Sequence, residues 1–428
     1  MTDDGPADRG RAVVLVVCDR LRLAMSEEFY RIRRLPPYVF AEVNAMKAAA
    51  RARGEDIVDL GMGNPDSPPP PHVIAKLAEV AAKPDAHGYS ASKGIPGLRR
   101  AQAAYYARRF GVTLDADSEV VVTLGSKEGL ANLAQAITAP GDVVLAPNPS
   151  YPIHMFGFII AGCTIRSIPA APGPDFFEKL EHAMRYTVPR PKVLVMGYPS
   201  NPTAETVDLA FYEQVVSFAK AHGIWVISDL AYAEIYFDGP PTPSILQVPG
   251  AMDVALEFTS MSKTYSMAGW RIGFAVGNPV LIAALTRVKS YLDYGAFTPI
   301  QAAAVAALNG PQDCIAETRA LYRARRDVLV DSFARAGWDI PVPRASMFAW
   351  APIPPALRHL GALEFTKQLL THAQVAVAPG TGFGEEGEGF VRIALVENEH
   401  RIRQAARGVK RYLAAMGVNA AAKRATAR

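Results

Sequence analysis

The chain has little cysteine. Its 428 residues hold three, Cys18, Cys163 and Cys314, and none forms a C-x-x-C pair. An odd count at wide spacing speaks against a disulfide framework or a zinc site and fits a reducing compartment, so a cytoplasmic location is expected. The eight histidines are scattered, without an H-E-x-x-H spacing, so metal catalysis has no support and no metal is expected. Neither sign of charge dominates: 45 basic against 41 acidic residues leave a net +4. With no dense basic stripe interleaved with aromatics, there is no case for a nucleic-acid partner. Long hydrophobic runs are lacking too. The N-terminal "AVVLVV" is too short to span a bilayer. It follows acidic residues and has no clear small-residue cleavage site, so neither a membrane partner nor a signal peptide is expected.

Half the residues are hydrophobic and a fifth are charged, the balance of an ordinary globular enzyme. The length suits a large domain with a smaller one. Residues 1–26 are expected to be a disordered extension with no role in the fold, and Met25 could then be the start of the chain in the cell. Residues 27–58 are expected to form an N-terminal arm and part of the small domain. Residues 59–305 would form the large domain, 306–415 the small C-terminal domain and 416–428 a flexible basic tail.

From about residue 56, apolar runs alternate with helical spacing. The runs are "EVVVTLG", "DVVLAPNPSY", "KVLVMGYPSNPT", "IWVISDLAY", "VALEFTSMSK" and "RIGFAVG". Buried runs separated by helices predict a mainly parallel α/β sheet. After residue 280 the pattern turns helical, with short strands near "SMFAWAPI" and "FVRIALV", which predicts a smaller α+β domain. Ligands of open parallel sheets sit beyond the carboxyl ends of the strands. Those ends carry "GSKEG", "NPSYP", "YPSNPT", "SDLAY" and "TSMSK".

Each of these ends has a plain structural reading. Ser126 can cap its own helix, Asn201 can serve a turn, Asp229 can form a structural ion pair, and Tyr151 can be core. Lys263 is the harder case. It sits among small hydroxyl residues directly after an apolar run, and burying an ammonium is costly unless it is paired or deprotonated. Taken together the ends suit pyridoxal 5′-phosphate. Its aldehyde needs a lysine and its ring nitrogen a carboxylate. Its phosphate needs N–H groups, hydroxyls and an arginine. Lys263, Asp229, Ser126 with Lys127, Ser260 with Ser262, and Arg271 can supply these, and Tyr151 can cover the ring face.

"SMSKTYSMAGWRIGF", "NPSYP", "YPSNPT", "SDLAY" and "FVRIAL" occur here in the order found in class I/II aminotransferases of fold type I, and the chain resembles that family from about residue 30 to 415. "RLPPYVF", "LGMGNPDSPPP", "HGYSASKGIPGLRRA" and "SYLDYGAFTPIQ" are similar to the bacterial glutamate–pyruvate aminotransferases, a subgroup near the alanine and LL-diaminopimelate aminotransferases. The resemblance implies a seven-stranded, mainly parallel sheet in a large cofactor-binding domain. It implies that Lys263 forms the aldimine and carries the proton between Cα and C4′ in a ping-pong transamination. Asp229 would hold the pyridinium proton, Asn201 and Tyr232 would bond the ring's phenolate oxygen, and Tyr151 would stack on the ring. Ser126, Lys127, Ser260, Ser262 and Arg271 would hold the phosphate. Arg392 would clamp the substrate α-carboxylate and Gly63 would let substrate approach the backbone. Tyr89 would reach the phosphate of a neighbouring subunit, so a homodimer with shared sites is implied.

The implied reaction moves an amino group between L-alanine and 2-oxoglutarate, giving pyruvate and L-glutamate. Tyr38 and Tyr294 are candidates for the side-chain end of the substrate site, and Tyr38 reads equally well as core. Competing readings are another donor (methionine, an aromatic amino acid or LL-diaminopimelate) or a carbon–sulfur lyase of the same fold. A DNA-binding regulator is weaker, because about 25 residues ahead of the fold supply no DNA-binding domain. A dinucleotide dehydrogenase is weaker again, because "GMGNPD" lacks the third glycine of G-x-G-x-x-G.

Overall fold

The computed structural model describes residues 29–36 and 39–418. The expected N-terminal extension, Met25, Tyr38 and most of the expected tail lie outside the described residues. The chain divides into two units, residues 1–37 and 38–428. In the first, the described residues hold one helical turn, Tyr30–Arg33. The second carries all the strands found among the described residues.

Seven strands form the central sheet: β2 (Val120–Thr123), β3 (Val143–Asn148), β4 (Thr164–Pro169), β5 (Val193–Met196), β6 (Trp225–Asp229), β7 (Ala255–Ser260) and β8 (Gly273–Gly277). Ahead of them β1 (Val58–Asp59) belongs to a second, two-stranded sheet. The seven run in the order β2-β8-β7-β6-β5-β3-β4. The pairs β3–β4, β3–β5, β5–β6 and β6–β7 are parallel, while β8 is antiparallel to both β7 and β2. This is the mainly parallel α/β sheet of the sequence reading. β2, β3 and β5 are buried along their whole length, as expected of strands covered on both faces by helices. β4 is the exception. It lies at the sheet edge with a mostly exposed pattern, so it makes no apolar run and does not stand out in the sequence.

The reversal at β8 matters for the site. After β7 the chain makes one helical turn, Met261–Thr264, and a 3₁₀ turn, Ala268–Trp270, and then runs back as β8. The start of β8 therefore lies at the same sheet edge as the ends of β2, β3, β5, β6 and β7. Lys263 and Arg271 flank that short reversal.

Three further strands, β9 (Phe348–Pro352), β11 (Ala378–Pro379) and β12 (Phe390–Ala394), pair antiparallel in the order β11-β12-β9. β10 (Val375–Ala376) pairs in parallel with β1, Val58 opposite Val375. An apolar core that includes Phe333, Trp338, Phe348, Phe365 and Leu413 lies around these strands and the helices Asp313–Ala336 and Glu399–Ala415. The helix Val39–Ala52 joins this region through Ala50, which clusters with Ile57, Leu370 and Ala376. Among the described residues no helix is long and apolar enough to cross a membrane.

The helix Ser126–Ile137 packs on the central sheet through Leu130, Leu133 and Ala134, which share a core with Val121 and Phe258. Its close approach depends on Gly129, where an added Cβ would lie 2.6 Å from Thr123 Cγ2 and 2.7 Å from Phe258 Cε1. Gly129→Ala is expected to destabilise the protein by about 1–3 kcal/mol through overpacking. It should also displace the N-terminal turn of this helix, where Ser126 and Lys127 are expected from the sequence to hold a phosphate, and so weaken binding of pyridoxal 5′-phosphate. Thermal unfolding and cofactor titration measure the two effects.

Candidate active site

A cleft of about 600 Å³ opens at the carboxyl edge of the central sheet. It is lined by Ser126 and Lys127 after β2, Tyr151 after β3, Asn201 after β5, Asp229 and Tyr232 at the end of β6, and Ser260, Ser262, Lys263 and Arg271 around the β7–β8 reversal. Gly63 and Arg392 come from outside that sheet and complete it. Twelve of the residues singled out in the sequence thus share one cavity. Tyr89 and Tyr294 do not line it. They stand 89% and 64% exposed, with their ring centroids 4.7 Å apart. Tyr38 lies outside the described residues.

Lys263 Nζ donates to the Gly63 carbonyl at 2.5 Å. Burial, then the nearby guanidinium groups of Arg392 and Arg271, lower its pKa from 10.5 to about 8. Removing an ammonium from water and crowding it with cations both favour the neutral, nucleophilic amine. Ser260 caps the turn that carries the lysine, its Oγ accepting from Ser262 N at 3.1 Å.

Asp229 lies at the end of β6. Its Oδ2 is 2.9 Å from His154 Nε2, while its buried Oδ1 has no hydrogen-bond partner. A buried carboxylate oxygen left unpaired is costly, and one facing a ligand site needs a donor. His154 is a site residue that the sequence reading misses. It opens the helix Ile153–Ala161, three residues beyond Tyr151, and is 4% exposed. The only hint of it in the sequence is a histidine in the turn after "NPSYP". Tyr232 is buried, with its ring edge-on to Phe348 at 5.7 Å. Burial pushes its hydroxyl far above the ordinary range, so it stays protonated and can donate.

A candidate anion seat lies at the N-terminus of Ser126–Ile137. The N-cap is Gly125, at φ 82°, and no side chain caps this end. An added Cβ there would lie 2.2 Å from Arg271 Nη2, so the guanidinium rests directly against the helix start. Free N–H groups, the helix dipole and a guanidinium together favour an anion. Arg271 is itself left-handed, at φ 58°. It is held through Nη1 to Ala268 O at 2.8 Å and Nη2 to Leu124 O at 3.3 Å.

Arg392, on β12, is 7% exposed. Its Nη1 donates to Asn201 Oδ1 at 2.8 Å and its Nη2 to Gly61 O at 2.9 Å. Its guanidinium carbon lies 4.0 Å from the Phe348 ring centre and 4.6 Å from that of Phe383, contacts that fix the plane of the fork. Gly63 approaches the same ring: a Cβ there would lie 2.4 Å from Phe348 Cζ.

The family "Aminotransferase class I and II" matches residues 55–409. The chain belongs to this family. It is 67% identical over 387 residues to AatC of Rhizobium meliloti, covering 90% of this chain and 96% of that one. It is 55% identical over 390 residues to the glutamate–pyruvate aminotransferase AlaC of Escherichia coli, covering 91% and 95%. It is 43% identical over 387 residues to the LL-diaminopimelate aminotransferase of Moorella thermoacetica, covering 90% and 98%. Substrate-bound BacF from Bacillus subtilis has the same fold, with a TM-score of 0.83 at 35% identity, covering 89% of this chain and 96% of that one. This is the fold type I architecture, and class I/II aminotransferases depend on pyridoxal 5′-phosphate. The cleft fits that group. It offers a buried acceptor, Asp229 Oδ1, an amine of lowered pKa, and a helix N-terminus against an arginine.

Lys263→Ala should abolish the visible absorbance of the bound cofactor and lower turnover by more than about a thousandfold. Spectra and a transamination assay check both. The pH dependence has a definite sign. The neutral amine is the reactive form, and its fraction rises as pH passes upward through the lysine pKa. Cofactor capture by cofactor-free protein should therefore speed up with pH, with a midpoint at about 8 and not near 10.5. Stopped-flow absorbance across that range measures it.

Proposed function

We propose that this aminotransferase exchanges an amino group between L-alanine and 2-oxoglutarate, forming pyruvate and L-glutamate. The reading of the donor rests on the likeness to the glutamate–pyruvate aminotransferase along nearly the whole chain. Pyridoxal phosphate, when bound, supplies an aldehyde for the amino group and a ring that takes up the electrons released at the substrate Cα. The residues of the chain then divide the remaining work.

Lys263 holds the cofactor first and afterwards moves the proton at the substrate Cα. Asp229 keeps a proton on the ring nitrogen through its unpaired Oδ1, and His154 fixes the carboxylate from behind. Asn201 and the protonated Tyr232 would bond the ring's phenolate oxygen, and Tyr151 would cover the ring. Ser126, Lys127, Ser260, Ser262 and Arg271 hold the phosphate. Arg392 grips the α-carboxylate with a fork already aligned by Asn201 and Gly61. Gly63 lets the substrate come close to the backbone.

Among the described residues lining the cleft, the cations other than Arg392 are Lys127, Lys263 and Arg271. The phosphate and the chemistry engage all three. Aromatic rings surround the Arg392 end, where Phe40 and Phe383 meet with centroids 5.4 Å apart. Those walls suit the alanine methyl, and among these residues they supply no dedicated cation for the side-chain carboxylate of glutamate. Tyr89, exposed beside Tyr294, would reach the phosphate of a second copy, and the working unit would be a cytoplasmic homodimer with shared sites. The LL-diaminopimelate aminotransferase relatives support a second reading with the same cofactor residues and a longer donor.

The test is a coupled assay of cofactor-loaded protein with L-alanine and 2-oxoglutarate, following pyruvate, beside a panel of other donors. Alanine is expected to give the highest kcat/KM and stoichiometric glutamate. Turnover with LL-diaminopimelate at least about tenfold above alanine would replace the reading, since one methylene gives only about 1–3 kcal/mol of discrimination.

A further inference from the structure

Among the described residues, the chemistry of the cleft leaves one fully buried cation unused. Lys289, on the helix Pro279–Leu292, has no exposed surface. A buried ammonium is tolerated only where it is paired. Its Nζ donates to Glu128 Oε1 at 3.2 Å and to Asp293 Oδ2 at 2.8 Å.

Both partners reach further. Glu128 lies in the first turn of the helix whose N-terminus seats the anion. Its Oε1 also accepts from Asn132, and its Oε2 accepts from Leu124 N at 2.8 Å. The carbonyl of that same Leu124 accepts from Arg271 Nη2. Leu124 thus connects Lys289 and Glu128 to the arginine of the phosphate seat. On the other side, Asp293 Oδ1 accepts from Gly295 N at 2.7 Å, and Asp293 O accepts from Ser92 Oγ. These bonds brace the turn that presents Tyr294 next to Tyr89.

We propose that Lys289 is a positioning residue for the phosphate seat: it cancels the Glu128 charge beside the bound phosphate and ties the seat to the Tyr89–Tyr294 turn. This rests on the assignment of that helix N-terminus to the cofactor phosphate. Without the ammonium, two carboxylates would face each other next to a phosphate carrying up to two negative charges, and like charges in a poorly solvated site repel strongly. Glu128 would also lose one of the groups that hold it against Leu124, and Arg271 would lose its register.

The experiment titrates cofactor-free protein with pyridoxal 5′-phosphate and, separately, with pyridoxal, which has the aldehyde and ring but no phosphate. Lys289→Gln keeps a hydrogen-bond donor and removes the charge. It should weaken pyridoxal phosphate by about 10- to 100-fold, the usual range for a hydrogen bond to a charged group, and leave pyridoxal within about threefold. Glu128→Gln in the Lys289→Gln background should restore most of the loss, and Lys289→Arg should stay near wild type. Equal weakening of both ligands would show a general structural role and overturn the proposal. So would an unchanged pyridoxal phosphate affinity, or a double variant no better than Lys289→Gln. If Lys289→Gln does not fold, the comparison passes to Lys289→Arg and the double variant, where a pyridoxal phosphate loss of tenfold or more in both overturns it. Wild-type protein that does not prefer pyridoxal phosphate to pyridoxal would overturn the phosphate seat itself and the role of Lys289 with it. A preference kept intact in Lys289→Gln would remove only the latter.

Discussion

An excess of positive charge at one sheet edge organises this molecule. Among the described residues lining the cleft, Lys127, Lys263, Arg271 and Arg392 face a single carboxylate, Asp229. Lys127 and Arg271 remain exposed, whereas Arg392 is buried and Lys263 half-buried, and withdrawing a cation from water is costly unless anions or acceptors compensate it. The chain meets this partly with neutral groups. Carbonyls of Gly61, Gly63, Leu124 and Ala268 and the Asn201 amide oxygen take the donors. The remaining imbalance favours anions in the cleft. Burial lowers the pKa of the Lys263 amine most, and Arg392 and Arg271 lower it further. The attraction for anions and the lowered lysine pKa therefore share part of their electrostatic cause.

The topology gathers these groups. Parallel strands deliver their following loops to one edge, which brings the residues after β2, β3, β5 and β6 together. The antiparallel β8 adds what a strictly parallel sheet would not. Because the chain turns back at once after β7, Lys263 and Arg271 sit at the same edge although only eight positions separate them. A long crossover after β7 would have carried the next strand's start to the opposite edge. The helix Ser126–Ile137 then brings its N-terminus down onto that edge, and Gly129 allows the close approach to Thr123 and Phe258.

Residues carrying a backbone signal are legible in the sequence. β-branched runs mark the buried strands, and polar clusters at their ends mark the cleft. Lys263 is conspicuous because a cation directly after an apolar run is energetically odd. The parts that escape the sequence do so for physical reasons. β4 is an exposed edge strand, so nothing in its composition separates it from a loop. His154 is an isolated histidine whose role depends on meeting Asp229, 75 positions away. Lys289 looks like a solvated helix residue until its helix packs beside Glu128. Tyr294 is conspicuous by motif as a candidate for the substrate site, yet it lies on the surface of its own chain, outside the cleft.

The segment Gly61–Gly63 shows how the charge balance can change during a reaction. Its two glycine carbonyls take one cation each: Gly61 O accepts from Arg392 and Gly63 O from Lys263. A neutral carbonyl holds a charged donor less tightly than a carboxylate does. On the proposed function, an incoming amino acid would compete well for the Arg392 fork, and the guanidinium would need little rearrangement because Phe348 and Phe383 already fix its plane. The lysine behaves in the same way. Its carbonyl bond holds the amine in place without supplying a counter-charge that would keep it protonated. A carboxylate in place of either carbonyl would hold the cations more firmly, raise the lysine pKa and compete with substrate. Backbone acceptors avoid all three effects, and glycine suits them here because at Gly63 the Phe348 ring leaves no room for a side chain.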